Sequence, residues 1–222
     1  MKKAVFLMIS LFLIGCAHQN ISDNKSFAEI CNTETSICKR NYGVLAEKIE
    51  KFNAAGGAFI LVNLKNNEVL NSASISILKN FDYNQDYSYT PQNVMKLLKK
   101  ERLATPQQFI KDYAAFIKSA TKEELKKLRG NVTNGTAKRI NIENVKVYGL
   151  TATDYKLDNP DEVITTFLGH FSYQNQEYAL ITLLDSPKGI KSTFGFNGSG
   201  WNATKLARKI VESAVLNTNL AK

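Results

Sequence analysis

The amino-acid sequence predicts an α+β domain, within the broad α/β class, built as one antiparallel sheet of five strands with flanking helices. Three observations predict it. Apolar residues recur first at helical spacing, then in two short runs, then at helical spacing, then in three runs, and last at helical spacing again. Polar turn residues separate neighbouring runs, Lys65-Asn66-Asn67 in the first pair and Gln174-Asn175-Gln176 in the last, as hairpins require. No internal repeat is visible, so the elements read as one domain over residues 38–222.

Each element has its own signal. "YGVLAEKIEKFNAAGG" puts Val44, Leu45, Ile49 and Phe52 at helical spacing, with Gly56-Gly57 read as its end. "AFILVNLKNNEVLNSASIS" is two strands around a turn. Pro91 suits the first turn of a helix whose apolar face is Val94, Leu97 and Leu98. Thr105-Pro106 opens the next, with Phe109, Ile110, Tyr113 and Phe116 inward. Thr121 heads a third, and Glu124 completes a capping box with it. From Val145 the pattern is of strands: "VKVYGLTAT", "VITTFLGHFSY" and "EYALITLLD". "NATKLARKIVESAVL" closes the chain as a helix, with Leu206, Ile210, Val211 and Val215 on one side.

The 222 residues suffice for one fair-sized domain, and 44% hydrophobic with 22% charged residues is ordinary for a globule. The start is different. Lys2 and Lys3 precede an apolar run from Ala4 to Ile14, then Gly15 and Cys16, which reads as a secretory signal over residues 1–15. Leu13-Ile14-Gly15-Cys16 resembles the bacterial lipobox, which implies cleavage before Cys16 and lipidation of its thiol. The resemblance implies anchoring in the cell envelope, and Ala17 after the Cys resembles the pattern sent to the outer membrane of a two-membrane cell. Residues 16–37, rich in Asn, Ser and Thr, read as a tether. Outside the cytosol, the leftover Cys31 and Cys38 are expected to pair as a disulfide. No nearby His or Cys completes a zinc set, and no metal or cofactor is expected. Loss of residues 1–15 leaves 27 basic and 20 acidic residues, a net +7 that favours anionic partners. Nucleic acid is discounted for an exported chain.

Over most of its mature length the chain resembles the transpeptidase domain of penicillin-binding proteins. "GGAFILVNLKNNEVLNSAS" is similar to that family's first hairpin, and "YTPQNVMK" to its Tyr-Glu-Pro-Gly-Ser-x-x-Lys segment. "NGTAKRINIENVKVYGLTAT" is similar to the stretch ending in the Lys-Thr-Gly-Thr strand, and "TFLGHFSYQNQEYALITLLDSPKG" to the last hairpin. The resemblance implies a Ser nucleophile with a Lys one helical turn on, a second Ser with an Asn, and a cation on the edge strand. This chain departs at most of those positions. Asn93 stands at the nucleophile position, and its amide cannot form the acyl ester. Lys96 is kept. Leu150-Thr151-Ala152-Thr153 replaces the cationic strand motif. No Ser-x-Asn stands out in the middle section, and the helical half is reduced.

Two readings follow. One is a non-catalytic, lipid-anchored relative that binds peptidoglycan or a protein of wall synthesis or division, with a segment adding along the edge strand. The other is a serine hydrolase or transpeptidase with a rearranged site, using Lys96 with Ser74, Ser76 or Ser88. A hydroxyl within reach of Lys96 discriminates them. Remaining candidates are bland. His18 and His170 read as solvated or structural, Trp201 as packing a helix, Asp82, Asp86, Asp154 and Asp158 as loop residues, and "LKKERL" and "LKKLR" as solvated faces.

Overall fold

In the computed structural model the described residues are 36–76, 92–98, 105–155, 162–188 and 200–220. Cys16, His18, Cys31, Asp82, Asp86, Ser88, Pro91 and Asp158 lie outside them, as do the side chains of Cys38 and Trp201.

Helix α1, Ser36–Lys51, buries Leu45 and Phe52 against the sheet. Gly56-Gly57 does not end it. The stop is Asn53, at φ 44, with its N–H on the Glu50 carbonyl and the Ala54 N–H on the Ile49 carbonyl, both 2.9 Å. That pair of bonds is a Schellman close, and Asn tolerates the left-handed conformation it needs. Gly56 and Gly57 instead begin strand β1, Gly56–Asn63. Strand β2, Val69–Ile75, returns beside β1 through a turn with Asn67 at φ 58. The Asn63 and Asn66 side chains accept backbone N–H groups of that turn at 2.9 and 3.1 Å.

The middle section is three helices: α2 (Gln92–Leu98), α3 (Pro106–Ser119) and α4 (Lys122–Thr133). A 3-10 turn at Lys138–Ile140 leads into β3 (Lys146–Tyr155), then β4 (Val163–Tyr173) and β5 (Gln176–Asp185). Gln174 and Asn175, at φ 49 and 62, form the two-residue turn between β4 and β5. Helix α5, Gly200–Leu220, is longer at both ends than the sequence pattern suggests.

All pairings are antiparallel, in the order β2-β1-β5-β4-β3. The sheet separates two cores because successive strand residues face opposite sides. One side packs Ala58, Ile60, Leu150, Leu168 and Ile181 against α2, α3 and α4 through Val94, Phe109, Tyr113 and Leu128. The other packs Phe59, Phe167, Phe171 and Leu180 against α1 and α5 through Leu45, Leu206, Ile210 and Val211. Burying one such side chain stabilises by roughly 1.5–3 kcal/mol. Gly149 and Gly169 pair across β3 and β4, and Phe167 lies over them: a Cβ on Gly149 would stand 2.6 Å from its ring. This architecture places β3 at one edge of the sheet and β2 at the other.

Candidate functional site

The short helix α2 sits at the β3 edge. Val94, fully buried, holds it in the core, so Asn93 and Lys96 turn outward. The Asn93 Nδ2 donates to the Thr151 carbonyl at 3.2 Å. One side-chain bond thus joins the helix segment and the strand segment that the sequence singles out.

Helix α4 crosses the same edge. Leu128 enters one core and Val132 the other. Arg129, which reads as part of a solvated face, is half-buried and donates from Nη1 to the Val147 carbonyl at 2.8 Å. The start of α4 is fixed by the capping box: Glu124 N–H to Thr121 Oγ1 at 3.2 Å, and Thr121 N–H to Glu124 Oε2 at 2.7 Å. Its end turns sharply at Gly135, where a Cβ would stand 2.8 Å from the Asn131 Cα, so only glycine fits. The turn returns Thr136 to β3, where its Oγ1 accepts from Thr151 Oγ1 at 2.7 Å.

Between α2, α4 and β3 lies a cleft of about 370 Å³. Asn93, Lys96 and Leu97 line one wall, Glu124, Lys127 and Asn131 the other, and Leu150, Thr151 and Thr136 the base. Sequence reasoning missed Glu124, Lys127, Asn131 and Thr136. Their only signal was membership of one helix and its exit turn, and it takes the crossing of α4 over β3 to gather them. Of the strand motif, Leu150, Thr151 and Ala152 are buried and Thr153 is exposed.

This arrangement decides several expectations. Among the described residues, no hydroxyl stands within hydrogen-bond distance of the Lys96 amine. Ser74 and Ser76 belong to β2 and its end, at the opposite edge. Four strand spacings of about 4.8 Å put them roughly 19 Å from the β3 edge, so neither serves Lys96. The edge itself is occupied. Val147 and Thr151 give their carbonyls to Arg129 and Asn93, so a partner segment pairing along this stretch would have to share or displace these bonds. Asp154 is a buried residue of β3 with interactions of its own, not a loop residue.

His170 is structural and buried. Its ring stacks on Tyr148 at 4.6 Å, and Nδ1 lies 2.9 Å from the Tyr113 hydroxyl. Burial lowers its pKa to about 4 and raises that of Tyr113 well above the usual phenol value. Among the described residues, no three His, Cys, Asp or Glu gather as a metal site, and no helix is long and apolar enough to cross a membrane.

Comparisons with known proteins bear on the fold. No family model matches the chain. The transpeptidase domain of the FtsI4 D,D-transpeptidase of Legionella pneumophila superposes with a TM-score of 0.64 at 14% identity, over 81% of this chain and 96% of that one. The transpeptidase domain of Burkholderia pseudomallei penicillin-binding protein 3 gives 0.64 at 13%, over 83% and 95%. By sequence the chain is 30% identical over 103 residues to a probable peptidoglycan D,D-transpeptidase FtsI of Caulobacter vibrioides. That match spans 40% of this chain and only 18% of the relative's length. The fold is therefore that of a penicillin-binding-protein transpeptidase domain.

Proposed function

We propose that this chain is a lipid-anchored protein of the bacterial cell envelope that binds a peptidoglycan peptide in its transpeptidase-like cleft without forming an acyl-enzyme. One observation carries the reading. The residue at the nucleophile position of the resembled motif is Asn93, and its amide donates to the backbone of β3. A Ser there would present a hydroxyl to a substrate carbonyl. The Asn amide nitrogen is delocalised, cannot attack, and serves as a clasp between two walls.

The remaining groups suit binding. Lys96 and Lys127 face the cleft from opposite walls and favour a carboxylate. Asn131, Thr136 and Thr151 offer hydrogen bonds beside the apolar side chains of Leu97, Leu128 and Leu150. Leu150 supplies no cation at the strand position, so a charge-assisted bond of roughly 1.5–3 kcal/mol is missing there. Lipid on Cys16, with a disulfide between Cys31 and Cys38, would hold the domain at a membrane, facing the periplasm from the outer membrane in a two-membrane cell. A protein of the wall-synthesis or division machinery is the other occupant consistent with the cleft.

The test has two arms. A fluorescent penicillin is incubated with the purified protein and resolved by denaturing electrophoresis; no covalent band is expected, nor with Asn93→Ser alone. A peptide ending in D-Ala-D-Ala is then titrated by NMR, with perturbations expected at Asn93, Lys96, Asn131 and Thr151. A heat-stable penicillin band in the natural sequence would overturn the proposal in favour of a serine enzyme.

A further inference from the structure

A second charged surface lies away from the cleft, where the end of α1 meets α5. Phe52, buried at the end of α1, is its centre. The Lys205 Nζ stands 5.2 Å from the Phe52 ring centroid. The Phe52 carbonyl accepts the Lys188 N–H at 2.8 Å, bringing the backbone after β5 to the same place. Lys48 lies one turn before Phe52, its whole side chain buried and its amine on Glu47 at 2.5 Å, so its charge is met within the fold. Lys51 is exposed beside it.

These cations crowd one another. Partial burial lowers the Lys205 pKa, and the nearby charges of Arg139, Lys51 and Lys48 lower it further. Glu47 is drawn to Lys48, and also feels Lys51 and Lys209. Glu212 is bonded to Arg208 and Lys209, both at 2.7 Å. Against Glu47 and Glu50 on the same helix end stand Lys48, Lys51, Lys188 and Lys205, so positive charge outweighs negative here, at an electrostatic cost that an external anion would relieve.

We infer that the face formed by Lys51, Lys188 and Lys205 around Phe52 docks on the phosphate-bearing headgroups of an anionic membrane. This rests on the lipid-anchor reading for its geometry. Cys16 stands twenty residues before Ser36, the first residue of α1. A random coil of that length would have an end-to-end distance of roughly 25 Å. Helix α1 itself is about 24 Å long, so the basic end of α1 is within reach of the surface that would hold the anchor. The domain would then lie on the bilayer by this face, with the α2–α4 side and its cleft turned away.

The experiment uses the full lipidated chain. It is reconstituted into phosphatidylcholine vesicles with or without phosphatidylglycerol, floated on a density gradient, and footprinted with an amine-acetylating reagent. Mass spectrometry reads each lysine. Labelling of Lys51, Lys188 and Lys205 should fall at least about threefold on anionic relative to neutral vesicles, a modest effect for screened surface charge. Molar salt should restore it. Lys118 and Lys122, on α3 and α4, should label equally on both. Equal labelling of the basic face on both vesicle types overturns the inference and leaves the anchor untouched. Flotation on anionic vesicles only, with the same protection, would defeat the anchor and uphold the face. Flotation on neither defeats both. Protection by inorganic phosphate alone, without vesicles, would replace the membrane surface by a discrete phosphate site and overturn the inference.

Discussion

Acid should destabilise this domain through His170, and the size of the effect follows from its surroundings. The residue is 4% exposed on β4, between Tyr148 on the neighbouring strand and Tyr113 on α3. One proton lies between the Tyr113 hydroxyl and Nδ1 at 2.9 Å. If the imidazole gains a second proton, both groups hold a hydrogen toward the same gap. The phenol must then find another acceptor inside the core. The charge that stands over this stack is itself positive: the Lys146 Nζ lies 5.9 Å from the Tyr148 ring centroid. Nothing on Tyr113 or Tyr148 offers a compensating anion.

The sign is that of a depressed histidine. Its pKa is about 4 in the fold against 6.5 for a free side chain. The neutral form's contribution is complete above pH 6.5 and is lost as pH falls toward 4. From those two values the loss is about 1 kcal/mol at pH 5.5 and about 2–3 kcal/mol at pH 4.5. The assay is urea unfolding of the natural protein and of His170→Gln over that range. Carboxylate titrations appear in both and cancel in the difference. The variant should be less stable near neutrality, having lost the Tyr148 stack, and the gap should close by these amounts as pH falls. A gap that stays constant between pH 7 and 4.5 would refute the reasoning. So would an imidazole NMR titration centred near 6.5.

Other outcomes follow from single features. Thr121→Ala removes the cap of α4 and should cost about 1 kcal/mol by urea unfolding; an unchanged midpoint would show that the cap bonds contribute nothing to the fold. Cys16→Ser should move the protein out of the membrane fraction or leave it unprocessed, with loss of labelled fatty acid; unaltered fractionation would count against lipidation. Cys31 and Cys38 should resist alkylation in protein taken from the periplasm, until a reductant is added, and their bond should contribute about 2–3 kcal/mol.

Much of the fold was legible because its signals are local. The hairpin turns at Asn66-Asn67 and Gln174-Asn175 announce themselves by residue type, and the structure places both where expected. The Thr121–Glu124 capping box is a spacing rule that needs no tertiary knowledge. The end of α1 was misplaced because Gly56-Gly57 is a stronger stop by composition than Asn53. The strand needed glycine more: a Cβ on Gly57 would press on Leu45 and Leu184 at 3.0 Å. Sheet order was less legible. Placing β1 between β2 and β5 joins segments more than a hundred residues apart, which no local pattern encodes.

The cleft shows why a site is harder to read than a fold. Asn93, Lys96 and Thr151 stand out through resemblance to a motif, which registers position and not packing. Arg129 and Thr136 do not, since what they do here depends on this chain's own packing. Arg129 resembles any solvated helix cation until α4 is seen lying on the β3 edge. Thr136 resembles any loop hydroxyl until Gly135 folds it back onto Thr151. Together Arg129 and Asn93 take two carbonyls of the strand against which a transpeptidase substrate would be expected to lie. The differences from the resembled motif at 93 and 150 therefore lie beside a strand edge already bonded at two carbonyls. A hydroxyl restored at 93 would still face a neutral Leu150 and an edge held at Val147 by Arg129. It would also release the Thr151 carbonyl from its partner, because a Ser side chain is too short to span the distance that Asn93 covers. Chemistry and clasp compete for the same position, and in this chain the clasp occupies it.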